Sequence, residues 1–105
     1  MKMHQVFYFL ALCEEHSFTR AAARCGVAQP SLTRAIQQLE LELGGQLFKR
    51  YKRGANLTDL GALVRHDLEG IGHAATAVSQ KAADFSAGLR SRAQSHNDEH
   101  GDRPY

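Results

Sequence analysis

The stretch from Ala21 to Ile36 restricts this chain more tightly than any other part of its sequence. An alanine-rich run of high helix propensity stops at Gly26, the residue best suited to the left-handed backbone that follows a helix. Ser17 can cap that segment, which predicts a short helix over Phe18 to Cys25. Pro30 then marks the start of another helix near Gln29, because proline is tolerated in a first turn, where its missing N–H has no helical partner to lose. Leu32, Ile36, Leu39 and Leu43 repeat on one face of this second helix until Gly44 and Gly45 end it. Helices joined so tightly need a small residue where they cross, a turn residue tolerating positive φ, and apolar anchors. Ala22 lies four residues before Gly26, and Ala21, Cys25, Val27, Leu32 and Ala35 supply the anchors. The spacing predicts a helix-turn-helix.

The flanking segments complete a small domain. Val6, Phe9, Leu10 and Cys13 carry the three-and-four spacing of one helical face, which predicts a first helix over residues 3–15. Beyond Gly45, Leu47 to Tyr51 and Ala55 to Leu57 flank Lys52, Arg53 and Gly54, which reads as a short hairpin with a basic tip. Thr58 and Asp59 then form an N-cap with an acid in the first turn. The long helix they open is expected to run to about Leu89. Its apolar positions Val64, Leu68, Ile71, Ala75, Val78, Ala82, Phe85 and Leu89 step by 4, 3, 4, 3, 4, 3 and 4, a sustained heptad seam. A helix of roughly 30 residues would extend about 45 Å, more than so small a domain can cover, so a second chain is expected along the seam. Gly70 and Gly72 weaken that helix, each by about 1 kcal/mol relative to alanine. From Arg90 to Tyr105 almost no apolar residue remains, and a disordered polar tail is expected.

Hydrophobic residues make up 43% and charged residues 23% of the 105. These are globular proportions, away from disordered, collagenous or coiled-coil compositions. The longest apolar run, Val6 to Cys13, is far short of the roughly 18–20 residues that cross a bilayer. It has no basic stretch or small-residue cleavage site around it, so no signal peptide and no membrane partner are expected. Cys13 and Cys25 have eleven residues between them and no zinc-ligand spacing, which fits a reduced, cytoplasmic protein whose cysteines are small hydrophobes rather than a redox pair. His96 and His100 are four apart but lie in the polar tail, and no convincing metal-ligand set is present. No phosphate loop, paired catalytic carboxylates or nucleophile motif occurs, so neither an enzyme nor a cofactor is expected.

The net charge of +2 hides an asymmetry. Up to Leu57 there are eight Lys/Arg against four acids, and after it five against seven. Lys49, Arg50, Lys52 and Arg53 form a local basic patch that needs an anionic partner or ample solvent. Beside it, the outward face of the second helix of the pair presents Ser31, Thr33, Arg34 and Gln37 near its N-terminal half, the part of such a helix that enters a major groove. Arg can read guanine, Gln can read adenine, and Thr can donate or offer its methyl to thymine. An ordinary solvated helix face would look the same in isolation, but the adjoining basic hairpin, suited to phosphates or a minor groove, favours double-stranded DNA.

Ser17-Phe18-Thr19-Arg20-Ala21-Ala22, Val27-Ala28-Gln29-Pro30-Ser31-Leu32-Thr33-Arg34-Ala35-Ile36, Leu39-Glu40, Leu43-Gly44, Leu47-Phe48-Lys49-Arg50, Arg53 and Leu57-Thr58-Asp59-Leu60-Gly61 together form a pattern. It resembles the N-terminal DNA-binding domain of LysR-type transcriptional regulators over residues 3 to about 89. The resemblance implies a mainly α fold: a winged helix-turn-helix of three helices and a β-hairpin over 1–57, a long dimerisation linker helix over 58–89, then the tail, 90–105. It implies DNA contacts by Gln29, Pro30, Ser31, Thr33 and Arg34, with wing arginines Arg50 and Arg53. It also implies an antiparallel dimer through the linker helix, which agrees with the seam Val64, Leu68, Ile71, Ala75, Val78, Ala82 and Phe85. The expected function is a sequence-specific, dimeric DNA-binding regulator on a two-fold-related site. The competing reading is an interaction module that heterodimerises with full-length relatives and inhibits them.

Three features depart from the family pattern. Ala28 stands where a serine cap is common, and Gly45 replaces a β-branched or apolar residue, which is expected to loosen the approach to the wing. The family's effector-binding domain has no counterpart in these residues; in a complete chain of this length, control would come through partner exchange, abundance or competition for DNA.

Overall fold

The computed structural model describes residues 1–52 and 54–96. Its elements are α1 (Met3–Glu15), α2 (Phe18–Cys25), α3 (Gln29–Leu43), β1 (Phe48–Tyr51), β2 (Gly54–Leu57) and α4 (Asp59–His96). The order is that of a winged helix-turn-helix followed by a long helix. Helix α1 ends where His16 turns left-handed (φ 57°) and returns its N–H to the Leu12 carbonyl. Ser17 caps α2, accepting from the Arg20 N–H at 3.1 Å, and Gly26 closes it at φ 68°. Proline opens α3 without a side-chain cap from Ala28, and Gly44 ends it at φ 84°. Glycine is favoured at those two ends because a β-carbon is disfavoured in the left-handed region.

Phe9, Leu12, Leu32, Ile36, Leu39 and Leu47 are fully buried and bring α1, α3 and the segment before β1 onto one core. The Phe48 ring lies 5.3 Å from Phe9 and 6.5 Å from Phe18, which places the root of the hairpin on the same cluster. Further bonds fix the hairpin's place. Glu40 of α3 accepts the N–H groups of Leu47 and Phe48 at 2.7 and 3.4 Å, and the His16 carbonyl accepts from Ala55 at 2.8 Å. Thr58 bonds through its hydroxyl to the Gln46 carbonyl and through its N–H to the Leu47 carbonyl, while accepting from Gly61 at 3.0 Å as the cap of α4. A β-carbon at Gly61 would collide with the Leu47 carbonyl oxygen. Gly45 likewise lets Leu60 close in, since a β-carbon there would lie 2.9 Å from the Leu60 Cδ2. The glycine expected to loosen the approach to the wing is therefore a point of close packing.

Three expectations need correction. The compact domain does not stop at Leu57: one unit runs from Met1 to Gly72 and a second begins at His73. Leu60 and Val64 pack half-buried against the core, and Leu68, 2% exposed, is part of it. Leu68 was expected on a seam between chains and is instead consumed within its own domain, with Val64 beside it. The exposed seam starts at Ile71. Finally, α4 continues past Leu89 to His96, because no glycine or proline follows Leu89 in that stretch and losing the apolar stripe does not interrupt the backbone bonds. The remainder of the expected tail, residues 97–105, lies outside the described residues, as does Arg53.

Within the second unit, Val78, Phe85 and Leu89 are 68%, 66% and 44% exposed. Ala75 is half-buried and Ala82 exposed. Among the described residues no helix is long and apolar enough to cross a membrane.

Candidate nucleic-acid interface

Helix α3 buries Leu32, Ala35, Ile36 and Leu39. The helical period then turns Pro30, Ser31, Arg34 and Gln37 to solvent, with Gln29 and Thr33 half-buried beside them. Gln29, Pro30, Thr33, Arg34 and Gln37 line a shallow, open depression of about 420 Å³. The structure thus gathers these sequence-predicted contact residues on one surface, with Ser31 exposed on the same helix.

The hairpin is antiparallel and pairs Phe48 with Leu57, Lys49 with Asn56, Arg50 with Ala55, and Tyr51 with Gly54. Alternation along β1 puts Phe48 and Arg50 on one face and Lys49 and Tyr51 on the other. Lys52 takes a left-handed conformation at the tip (φ 48°). Arg50, which the sequence places in the basic patch with Lys49, Lys52 and Arg53, turns its side chain toward the helices. Its Cζ lies 3.8 Å from the Phe18 ring centroid, and its Nη2 donates to the Thr33 Oγ1 at 3.2 Å.

Sequence reasoning missed two side chains that hold others in place: Phe18 beneath Arg50, and Thr19, whose hydroxyl donates to the Gln29 Oε1 at 3.0 Å. The latter bond leaves both amide hydrogens of Gln29 free to donate. Phe18 and Thr19 were legible only as part of the Ser17–Ala22 pattern, because their partners lie far along the chain.

The arginines divide by partner. Arg24 is paired with Glu14 and Glu15, Arg20 with Glu15 at 3.7 Å, and Arg65 with Glu69 at 3.2 Å. The hydrogen bond that Arg24 donates to the Glu14 carboxylate, together with that carboxylate's charge, pushes the guanidinium above its usual value. Among the described residues, Arg34, Lys49, Arg50 and Lys52 have no acid within 4.0 Å. Lys2, Lys81 and Arg90 have no such acid either, but four of the unneutralised cations fall on α3 and the hairpin while α2 is compensated. Cys13 and Cys25 are free thiols; burial pushes Cys13 up to about 11, as befits an inert apolar filler.

The sequence model of the bacterial regulatory helix-turn-helix proteins, lysR family, matches residues 3–62, which contain every part of this surface. The chain belongs to the LysR family. It is 38% identical over 89 residues to the HTH-type transcriptional regulator BudR of Klebsiella aerogenes, across 85% of this chain and 62% of that protein. To the HTH-type transcriptional regulator ClcR of Pseudomonas putida it is 38% identical over 98 residues, 93% of this chain and 30% of ClcR. This LysR chain therefore corresponds to only part of the length of those relatives. The fold superposes on the crystal structure of the CbnR DBD–DNA complex with a TM-score of 0.73 at 34% identity, covering 82% of this chain and 99% of that one. The LysR match includes α3 and the hairpin together.

Proposed function

We propose that this chain is the DNA-binding part of a transcriptional regulator, laying α3 into the major groove of double-stranded DNA with the hairpin against the adjacent backbone. The observation that carries the reading is the partition of charge: both arginines of α2, and Arg65 of α4, are met by acids, whereas Arg34, Lys49, Arg50 and Lys52, on one helix and the adjoining hairpin, are left for an anion. The names of the relatives, transcriptional regulators, and the complex with DNA formed by a similar domain support it. In this reading Arg34 pairs with guanine, Gln29 and Gln37 donate to base edges, and Pro30 and Ser31 fit the helix start against the groove wall. Lys49, Arg50 and Lys52 meet phosphates, and Arg53 belongs with them on sequence grounds.

Two copies joined along Ile71, Ala75, Val78, Ala82 and Phe85 would present two such helices to a two-fold-related site in the cytoplasm. A longer relative with a matching seam could take the place of one copy.

The test compares a duplex enriched by the protein from a randomised pool with a scrambled duplex. Arg34→Ala is expected to weaken the enriched duplex by about 1–3 kcal/mol and the scrambled one much less. Affinity should fall steeply with salt, by about 0.9 log units per log unit of salt for each phosphate neutralised. Equal losses on both duplexes would remove Arg34 from base reading, and salt-independent binding would remove the phosphate contacts.

A further inference from the structure

Arg50 is exposed and without an acid partner among the described residues, yet its guanidinium is held. One flat face lies against the Phe18 ring at 3.8 Å, and Nη2 donates to the Thr33 hydroxyl at 3.2 Å. The ring beneath it is anchored. Phe18 is 8% exposed and meets Phe48 edge-on, and Phe48 in turn tilts against Phe9 in the core. The three groups come from three elements: the first residue of α2, the second turn of α3, and β1.

Stacking uses a guanidinium's face and leaves its edge. Of its five N–H donors the bond to Thr33 takes one, so a fork remains that matches phosphate geometry. An untethered arginine surrenders rotamer freedom when it binds an anion; one already stacked and hydrogen-bonded has given up much of it beforehand. Thr33 meanwhile spends a lone pair on Arg50.

We propose that Phe18 and Thr33 are positioning residues that preset Arg50 as a phosphate clamp joining the hairpin to α3, so that Thr33 acts through Arg50 and not by reading a base. The inference rests on the DNA-binding reading above and assigns Thr33 a different task within it.

A mutant cycle on the full chain tests it, using the enriched and scrambled duplexes together with NMR of the free protein. Thr33→Val keeps the shape and removes the hydroxyl. It is expected to weaken both duplexes alike, by about three- to tenfold, while Thr33→Ser restores binding. In an Arg50→Ala background, Thr33→Val should cost nothing further. Arg50→Ala itself should weaken both duplexes and lower the salt slope by about one. In the free protein, the Arg50 δ-protons should show a ring-current shift that Phe18→Leu abolishes. If Phe18→Leu does not fold, the Thr33 and Arg50 cycle decides alone.

A Thr33→Val loss confined to the enriched duplex and undiminished without Arg50 would make Thr33 a base reader and overturn the proposal. Arg50 protons unmoved by Phe18→Leu in a folded protein would overturn the stack while leaving the DNA reading intact. Wild-type protein that binds no duplex would overturn the DNA reading itself, and the clamp with it.

Discussion

Leu68 and Leu89 are the same residue at corresponding places in one unbroken heptad seam, but the first is 2% exposed and the second 44%. Val64 is half-buried, while Val78 is 68% exposed. Each pair spans the division at Gly72, with one member in each unit. Periodicity fixes where an apolar stripe runs along a helix; it carries no information about what covers the stripe. In the first unit the cover is the chain's own core, as Leu68 clusters with Phe9 and Leu12. In the second, the side chains remain available.

The largest effect expected from this contrast is on Leu68→Ala, which should lower unfolding stability by about 2–5 kcal/mol in a urea titration, as for other fully buried leucines. Leu89→Ala should change it by under about 0.5 kcal/mol when the protein is dilute enough to be monomeric. Similar losses at both positions would erase the distinction. Phe85→Asp sharpens it from the other side: sedimentation should show association weakened by at least about 30-fold, equivalent to about 2 kcal/mol, with the thermal transition of the monomer unmoved.

A smaller effect concerns the unmet start of α3, where Ala28 offers no side-chain cap although Ser17 caps α2. Ala28→Ser should stabilise by about 1 kcal/mol and raise Tm; an unchanged or lower Tm would refute the capping argument. The smallest effect separates the two cysteines. Iodoacetamide near neutral pH should modify the half-buried Cys25 well before Cys13, which mass spectrometry can read. Because folding lifts Cys13 from 9.0 to about 11, its contribution to stability is complete below pH 9 and is lost as pH rises toward 11.

Helix α1 was legible from its apolar spacing, and α2 and α3 to the residue because their ends carry chemistry of their own: Ser17 as a cap, Gly26 and Gly44 for left-handed turns, Pro30 for a first turn. The end of α4 was not, since its apolar stripe gives out at Leu89 while the backbone continues through Arg90 and Ser91. The outward face of α3 followed from its buried face. The roles of Phe18, Thr19 and Thr33 did not, because a bond such as Arg50 to Thr33 joins residues 17 apart and depends on how the hairpin returns to the helices. Leu68 was misassigned for the related reason that a stripe looks the same whether its own domain or another chain covers it.

The bond from Ala55 to the His16 carbonyl has a consequence for solubility. A two-stranded hairpin has two open margins, each a row of backbone groups on which another extended chain can pair. On the β2 side the turn between α1 and α2 takes up the Ala55 N–H, and on the β1 side the strand carries Lys49 and runs into Lys52, charges that discourage such pairing. The groups that meet phosphates in the proposed complex would then also keep the unbound protein from polymerising through its own wing.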